Sequence, residues 1–127
     1  MQFSFATTGE YHPSGLGAWA VALTPTGELS ATWKRAGHTT LFGPFSLTRE
    51  ENARVWGLIE EMKRSALSSS VRPGIPDEIL YTLTLPHEPP LRIELWKGDG
   101  QKTPTVQAVT AIIELLIEKY TEQKAYL

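Results

Sequence analysis

Apolar and polar positions alternate with two distinct periods along this chain, and the two periods separate strands from helices. Period two appears first at residues 2–7, where Phe3 and Phe5 share a side. It recurs over 18–24 (Ala-Trp-Ala-Val-Ala-Leu-Thr) and over 29–35, where Leu29, Ala31 and Trp33 share a face. Between these two runs Pro25-Thr-Gly-Glu28 has turn chemistry, so the pair predicts a hairpin. Later, Ile79, Tyr81, Leu83 and Leu85 alternate with Thr82 and Thr84, and Leu91, Ile93 and Leu95 alternate with Arg92 and Glu94. Strands with one dry and one wet face belong to antiparallel sheets.

Period 3.6 appears twice. Thr48-Arg-Glu-Glu51 has the form of a capping box, in which the Thr48 hydroxyl and the Glu51 carboxylate each accept the other residue's amide. Behind it Val55, Leu58, Ile59, Met62 and Ala66 form one apolar stripe. The second stripe is Val106, Val109, Ile113, Leu116 and Tyr120, widened by Ile112 and Ile117. Thr103 is its expected N-cap and Pro104 its first residue, where a missing N–H costs nothing. The polar tail from Thr121 is expected to fray. Residues 36–47 are irregular, with a short strand expected at Thr40–Phe42.

The predicted order is β-β-β-α-β-β-α. With one apolar sheet face and two one-sided helices, the economical arrangement is an α+β fold of two layers. An antiparallel sheet of about five strands carries both amphipathic helices on one face. The chain has 127 residues and no internal repeat or linker, so residues 1–127 are expected to form one domain. Hydrophobic residues make up 41% and charged residues 20%, enough apolar material for a core.

Charge and cysteine content narrow the partners. Twelve Lys and Arg against 14 Asp and Glu give a net charge of −2, and the basic residues are scattered, so no nucleic-acid partner is expected. There is no cysteine, hence no thiolate nucleophile or cysteine zinc site, which suits a reducing cytoplasm. No apolar run approaches the ~20 residues that span a bilayer, and the N-terminus lacks the pattern of a secretory signal. A cytoplasmic location without membrane association is expected.

The usual catalytic constellations are missing. His12, His38 and His87 lie in loops without metal-ligand spacing. Gly15-Leu-Gly17 precedes a strand, whereas a dinucleotide fingerprint follows one and opens a helix. Gly98-Asp-Gly-Gln-Lys-Thr103 joins a strand to a helix but has Gln101 where a phosphate loop needs glycine, and it reads as a tight connection. Glu50-Glu51 and Glu60-Glu61 are helix neighbours that point about 100° apart and do not converge. Ser68-Ser-Ser70 has no elbow around it. The expectation is a non-enzymatic chain without metal or cofactor. Of the four tryptophans, Trp96 falls on the wet face by alternation, beside Arg92 and Glu94. Core packing and a partner interface both account for such residues.

Three segments together resemble the emfourin-like family of small bacterial proteins. They are the N-terminal Met-Gln-Phe-Ser-Phe strand followed by a glycine-bearing loop, Phe45-Ser-Leu-Thr-Arg-Glu-Glu51 opening a helix, and Pro76-Asp-Glu-Ile-Leu-Tyr-Thr-Leu-Thr-Leu85. The family's namesake inhibits thermolysin-type metallopeptidases. The resemblance implies a protein-binding module whose partner is a metallopeptidase. The family's loop carries a Gly-Gly-aromatic segment. Its nearest match is Gly15-Leu-Gly17, behind an insertion with Tyr11, His12 and Pro13. Because binding residues gather on loops held by rigid scaffolds, Tyr11, His12 and Leu16 are the expected contacts, with Trp96 as a further candidate. Two other readings stand beside this one: a small-ligand-binding domain with a polar pocket in the fold, and an immunity-type partner of one toxin or enzyme. Either a monomer or a homodimer formed through an edge strand is compatible with the pattern.

Overall fold

Strand pairing follows directly from the alternation. The computed structural model describes residues 1–127 and contains one six-stranded sheet of order β4-β3-β2-β1-β5-β6, antiparallel throughout. The strands are β1 (Phe3–Thr7), β2 (Ala18–Leu23), β3 (Glu28–Arg35), β4 (His38–Ser46), β5 (Leu80–Leu85) and β6 (Leu91–Trp96). The helices are α1 (Arg49–Arg64), α2 (Lys97–Gly100) and α3 (Pro104–Thr121). The two-layer α+β expectation is met, with one strand and one short helix more than the pattern predicted.

The apolar positions coincide with the packed face. Phe3, Phe5, Val21, Leu23, Leu29, Tyr81, Leu83, Leu85, Ile93 and Leu95 are buried. They pack with Val55, Ile59 and Met62 of α1 and with Val106, Val109, Ile113, Leu116 and Ile117 of α3 in one core. Cross-strand registers place Phe5 between Val21 and Leu83, and Phe3 beside Leu23. No helix is long and apolar enough to cross a membrane.

The Thr48 capping box forms in full: the Glu51 amide donates to Thr48 Oγ1 at 3.1 Å and the Thr48 amide to Glu51 Oε1 at 2.9 Å. Glu51 also accepts from Tyr120 and Lys119 of α3, which locks the two helices together. Burial pushes its carboxyl up, but the hydrogen bonds from Lys119, Tyr120 and Thr48 outweigh burial and hold it at about 2. At α3, Thr103 occupies the N-cap position but makes no side-chain cap; its hydroxyl donates to the Asp99 carbonyl instead.

Three expectations are corrected. The irregular stretch 36–47 is a nine-residue edge strand after a two-residue turn at Ala36-Gly37. Gly43-Pro44 sits where the register shifts between Leu29 and Ala31, and proline is tolerated because β4 has no outer neighbour. Gly98-Asp-Gly is a one-turn helix rather than a plain connection. The tail does not fray: Ala125 and Leu127 are buried in the core, and the Leu127 amide donates to Glu114 Oε2 at 3.4 Å. Polar Gln123 and Lys124 mask the two apolar residues that dock it.

Candidate functional site

The loop between β1 and β2 is fixed to the scaffold along its length. At its start the Thr8 amide donates to the Leu80 carbonyl (3.1 Å) and the Leu80 amide to Thr8 Oγ1 (2.9 Å). The Ala36 amide, in the β3–β4 turn, donates to the Glu10 carbonyl at 3.0 Å. Trp33 Nε1 donates to the Leu16 carbonyl at 3.0 Å.

His12 closes the middle. Its Nε2 lies 3.0 Å from the Asp77 carbonyl, which can only accept, so Nε2 carries the proton. Nδ1 is then the acceptor for the Ser14 amide (3.1 Å) and takes the Ser14 hydroxyl (2.9 Å). Ser14 Oγ in turn accepts from the Leu16 amide at 3.3 Å. Both ring nitrogens are occupied by the loop's own architecture.

Gly17 ends the loop at φ +80°, in the left-handed region. A Cβ there would lie 2.6 Å from the Lys34 carbonyl oxygen and 2.9 Å from Trp33 Nε1, so only glycine lets the chain pass this close to β3. Beneath the loop Trp33 stacks on Trp19 with centroids 4.9 Å apart, and the Arg35 guanidinium lies 3.8 Å over the Trp33 ring. Such stacking stiffens the platform.

What this anchored loop displays is apolar. Tyr11 is 75% exposed and Leu16 43% exposed. The Glu10 carboxylate pushes the Tyr11 phenol up by a side-chain hydrogen bond and by its charge.

Trp96 belongs to a different place. It is on the outer face, as alternation predicts, but the segment after α1 folds over it. Its Nε1 donates to the Arg72 carbonyl at 3.0 Å, and a Cβ on Gly74 would stand 2.6 Å from the indole. The ring is half-buried and holds the loop 72–74. The same segment caps the β6 edge. The Ser70 amide donates to the Glu94 carbonyl (2.8 Å), and the Glu94 and Trp96 amides donate to Ser69 Oγ and Ser70 Oγ. Arg72 grips Glu78 with both terminal nitrogens (2.9 and 2.7 Å) and reaches Asp99 at 3.2 Å. That grip holds the Glu78 carboxyl at about 2, and Ser70 with Arg72 lowers Asp99.

The structure brings His12 and Leu16 together with residues no local pattern singled out. A cavity of about 330 Å³ lies behind the loop, walled by Thr7, His12, Ser14, Leu16, Ile79 and Lys97, with Glu78 and the docked tail residues Tyr126 and Leu127. An adjoining hollow of about 290 Å³ takes in Tyr11 and Glu10. No group of three or more His, Asp or Glu side chains is placed to hold a metal ion. Comparison with protein-family models, curated proteins and solved structures finds no match to this chain.

Proposed function

We propose that this chain is a non-enzymatic protein-binding module that presents the loop Thr8–Gly17 to a partner. One observation carries the reading: two large apolar side chains, Tyr11 and Leu16, stand exposed on a loop whose backbone is tied to β3, β5 and Asp77. Exposed tyrosine is a frequent interface anchor, and a pre-ordered loop loses little entropy on binding. The partner class comes from the sequence resemblance to emfourin-like proteins, and we take it to be a thermolysin-type metallopeptidase. Inhibition then consists of the rigid loop occupying the peptidase cleft without being reorganised for hydrolysis.

The test is an activity titration of a purified thermolysin-type peptidase with a fluorogenic peptide. Expected is a loss of activity with a fixed stoichiometric end point. The double variant Tyr11→Ala/Leu16→Ala is expected to abolish inhibition while stability changes by less than about 0.5 kcal/mol, as for exposed positions. Undiminished peptidase activity at a large excess of the chain removes the peptidase from the reading. Inhibition that survives the double variant removes the loop.

A further inference from the structure

We propose that the cavity behind the loop is a binding site for a small amphipathic carboxylate, with the acid group at Lys97 and Thr7 and the apolar body against Leu16, Ile79 and Leu127. The proposal goes beyond the partner-binding role of the loop and does not depend on it.

Size is the first restriction. At about 330 Å³ the cavity stands at the small end of ligand sites.

Hydrogen-bond capacity is the second. Most polar groups in the wall are already committed. Both nitrogens of His12 and the Ser14 hydroxyl serve the loop. Glu78 is held by Arg72 and by the Ile75 amide. Two donors stand without a protein acceptor. The Lys97 ammonium makes neither a hydrogen bond nor an ion pair within 4.0 Å, although its backbone is anchored by donation to the Ile79 carbonyl. Thr7 Oγ1 accepts from the Trp19 amide at 3.0 Å, which leaves its proton for another acceptor. A cation and a hydroxyl donor in one small wall select an anionic acceptor.

The other charges nearby limit that anion to a single unit. Two carboxylates line the same cavity, Asp77 without an ion pair and Glu78 gripped by Arg72, and a second negative charge on the ligand meets their repulsion. Glu114 is the charge on α3 that Lys97 feels; burial pushes its carboxyl up, and it accepts the Leu127 amide rather than pairing with the ammonium. The remaining wall, Leu16, Ile79, Tyr126 and Leu127, is apolar, which favours a hydrocarbon body over a sugar or a phosphate.

Full-length ¹⁵N-labelled protein, titrated with hexanoate and phenylacetate and, in parallel, with hexylamine and hexanol, tests the site. Acids of about ten non-hydrogen atoms reach a Kd of about 1 mM at ordinary ligand efficiency, so titration extends to about 10 mM. Expected are saturable shifts of the Leu16, Gly17, Ile79 and Gly98 amides with at least one acid, and none with the amine. Lys97→Met is expected to weaken acid binding roughly fivefold and leave the weak binding of hexanol as it is, the effect of one partly solvated charge-assisted contact. Absence of saturable shifts with both acids overturns the proposal. So does equal binding of acid and amine, or acid binding indifferent to Lys97→Met. Peptidase inhibition is read separately, so failure here leaves the loop assignment standing.

Discussion

Replacing Gly17 with alanine tests whether the loop is held by packing, and the structure supplies the size of the effect. At φ +80° an alanine carries the left-handed penalty of about 1–2 kcal/mol. The new Cβ also meets three atoms: Arg35 Cγ at 2.4 Å, the Lys34 carbonyl oxygen at 2.6 Å and Trp33 Nε1 at 2.9 Å. Arg35 can swing away, at the cost of its stack on Trp33, worth about 0.5–1 kcal/mol. The Lys34 carbonyl belongs to β3, opposite Ala18, and cannot retreat without disturbing the ladder. The loop must therefore lift, which breaks the Trp33–Leu16 hydrogen bond for about a further 1 kcal/mol. These costs overlap, since one displacement relieves several, and the expected total is about 2–3 kcal/mol. Gly15→Ala is the internal control: Gly15 has φ +73° but nothing within 4 Å of its Cβ position, so it isolates the backbone penalty. Urea unfolding followed by tryptophan fluorescence gives both values, and near-UV circular dichroism reports the Trp19–Trp33 stack. If Gly17→Ala costs no more than Gly15→Ala and the near-UV spectrum is unchanged, the loop is not fixed by this packing, and the argument for a pre-ordered binding element falls.

Two further perturbations test the scaffold. Glu51 has its pKa lowered from 4.5 to about 2, so its stabilisation is fully present above about pH 4.5 and is lost as pH falls toward 2. Discounted for the part of the carboxylate that stays wet, Glu51→Gln is expected to cost about 2 kcal/mol at pH 7, with the gap to the parent closing between pH 4.5 and 2 in urea unfolding. A gap independent of pH would show that the Lys119–Glu51–Tyr120 cluster is not what ties α1 to α3. Leu127→Ala is expected to lower stability by about 2 kcal/mol, because Leu127 is only 7% exposed; a change below about 0.5 kcal/mol would mean that the tail does not dock.

Features with a local physical cause were legible in the sequence. Tyr81, Leu83 and Leu85 alternate because β5 has one covered face, and Val55, Ile59 and Met62 recur because α1 buries one stripe. The capping box needs only four consecutive residues, and it forms as read. The β4 strand escaped full recognition because an edge strand has little to bury: most of His38–Ser46 is exposed, and Gly43-Pro44 breaks the alternation. Alternation puts Trp96 on the outer face, where it lies, but its cover comes from Arg72–Gly74, more than 20 residues away, which no period encodes. The cavity was invisible for the same reason. Its walls come from β1, the 12–17 loop, the segment just before β5, α2 and the tail, and only their meeting makes a site. What the sequence did offer was the loop itself, through the conjunction of glycines with Tyr11, His12 and Leu16.

The choice of this rim over the sheet's uncovered face rests on the geometry of side chains. The outer face of the central strands carries Ser4, Ala6, Ala18, Ala20, Ala22, Ser30, Thr32, Thr82 and Thr84. Those side chains are short and neutral; beyond them the same face carries Lys34 and, alone on edge strand β4 opposite Thr32, one large exposed apolar side chain, Leu41, with no second anchor beside it. At the rim the opposite conditions meet. Tyr11 and Leu16 project, their backbone is tied by bonds from the Trp33 indole and the Ala36 amide, and His12 spends both nitrogens holding the loop shut. Leu16 is the point of contact between the two proposals, since it is exposed on the loop and also walls the cavity. If a ligand packed against its inner side changes the affinity of a partner packed against its outer side, the same factor is returned by the partner to the ligand, and an inhibition titration repeated with saturating acid reads it.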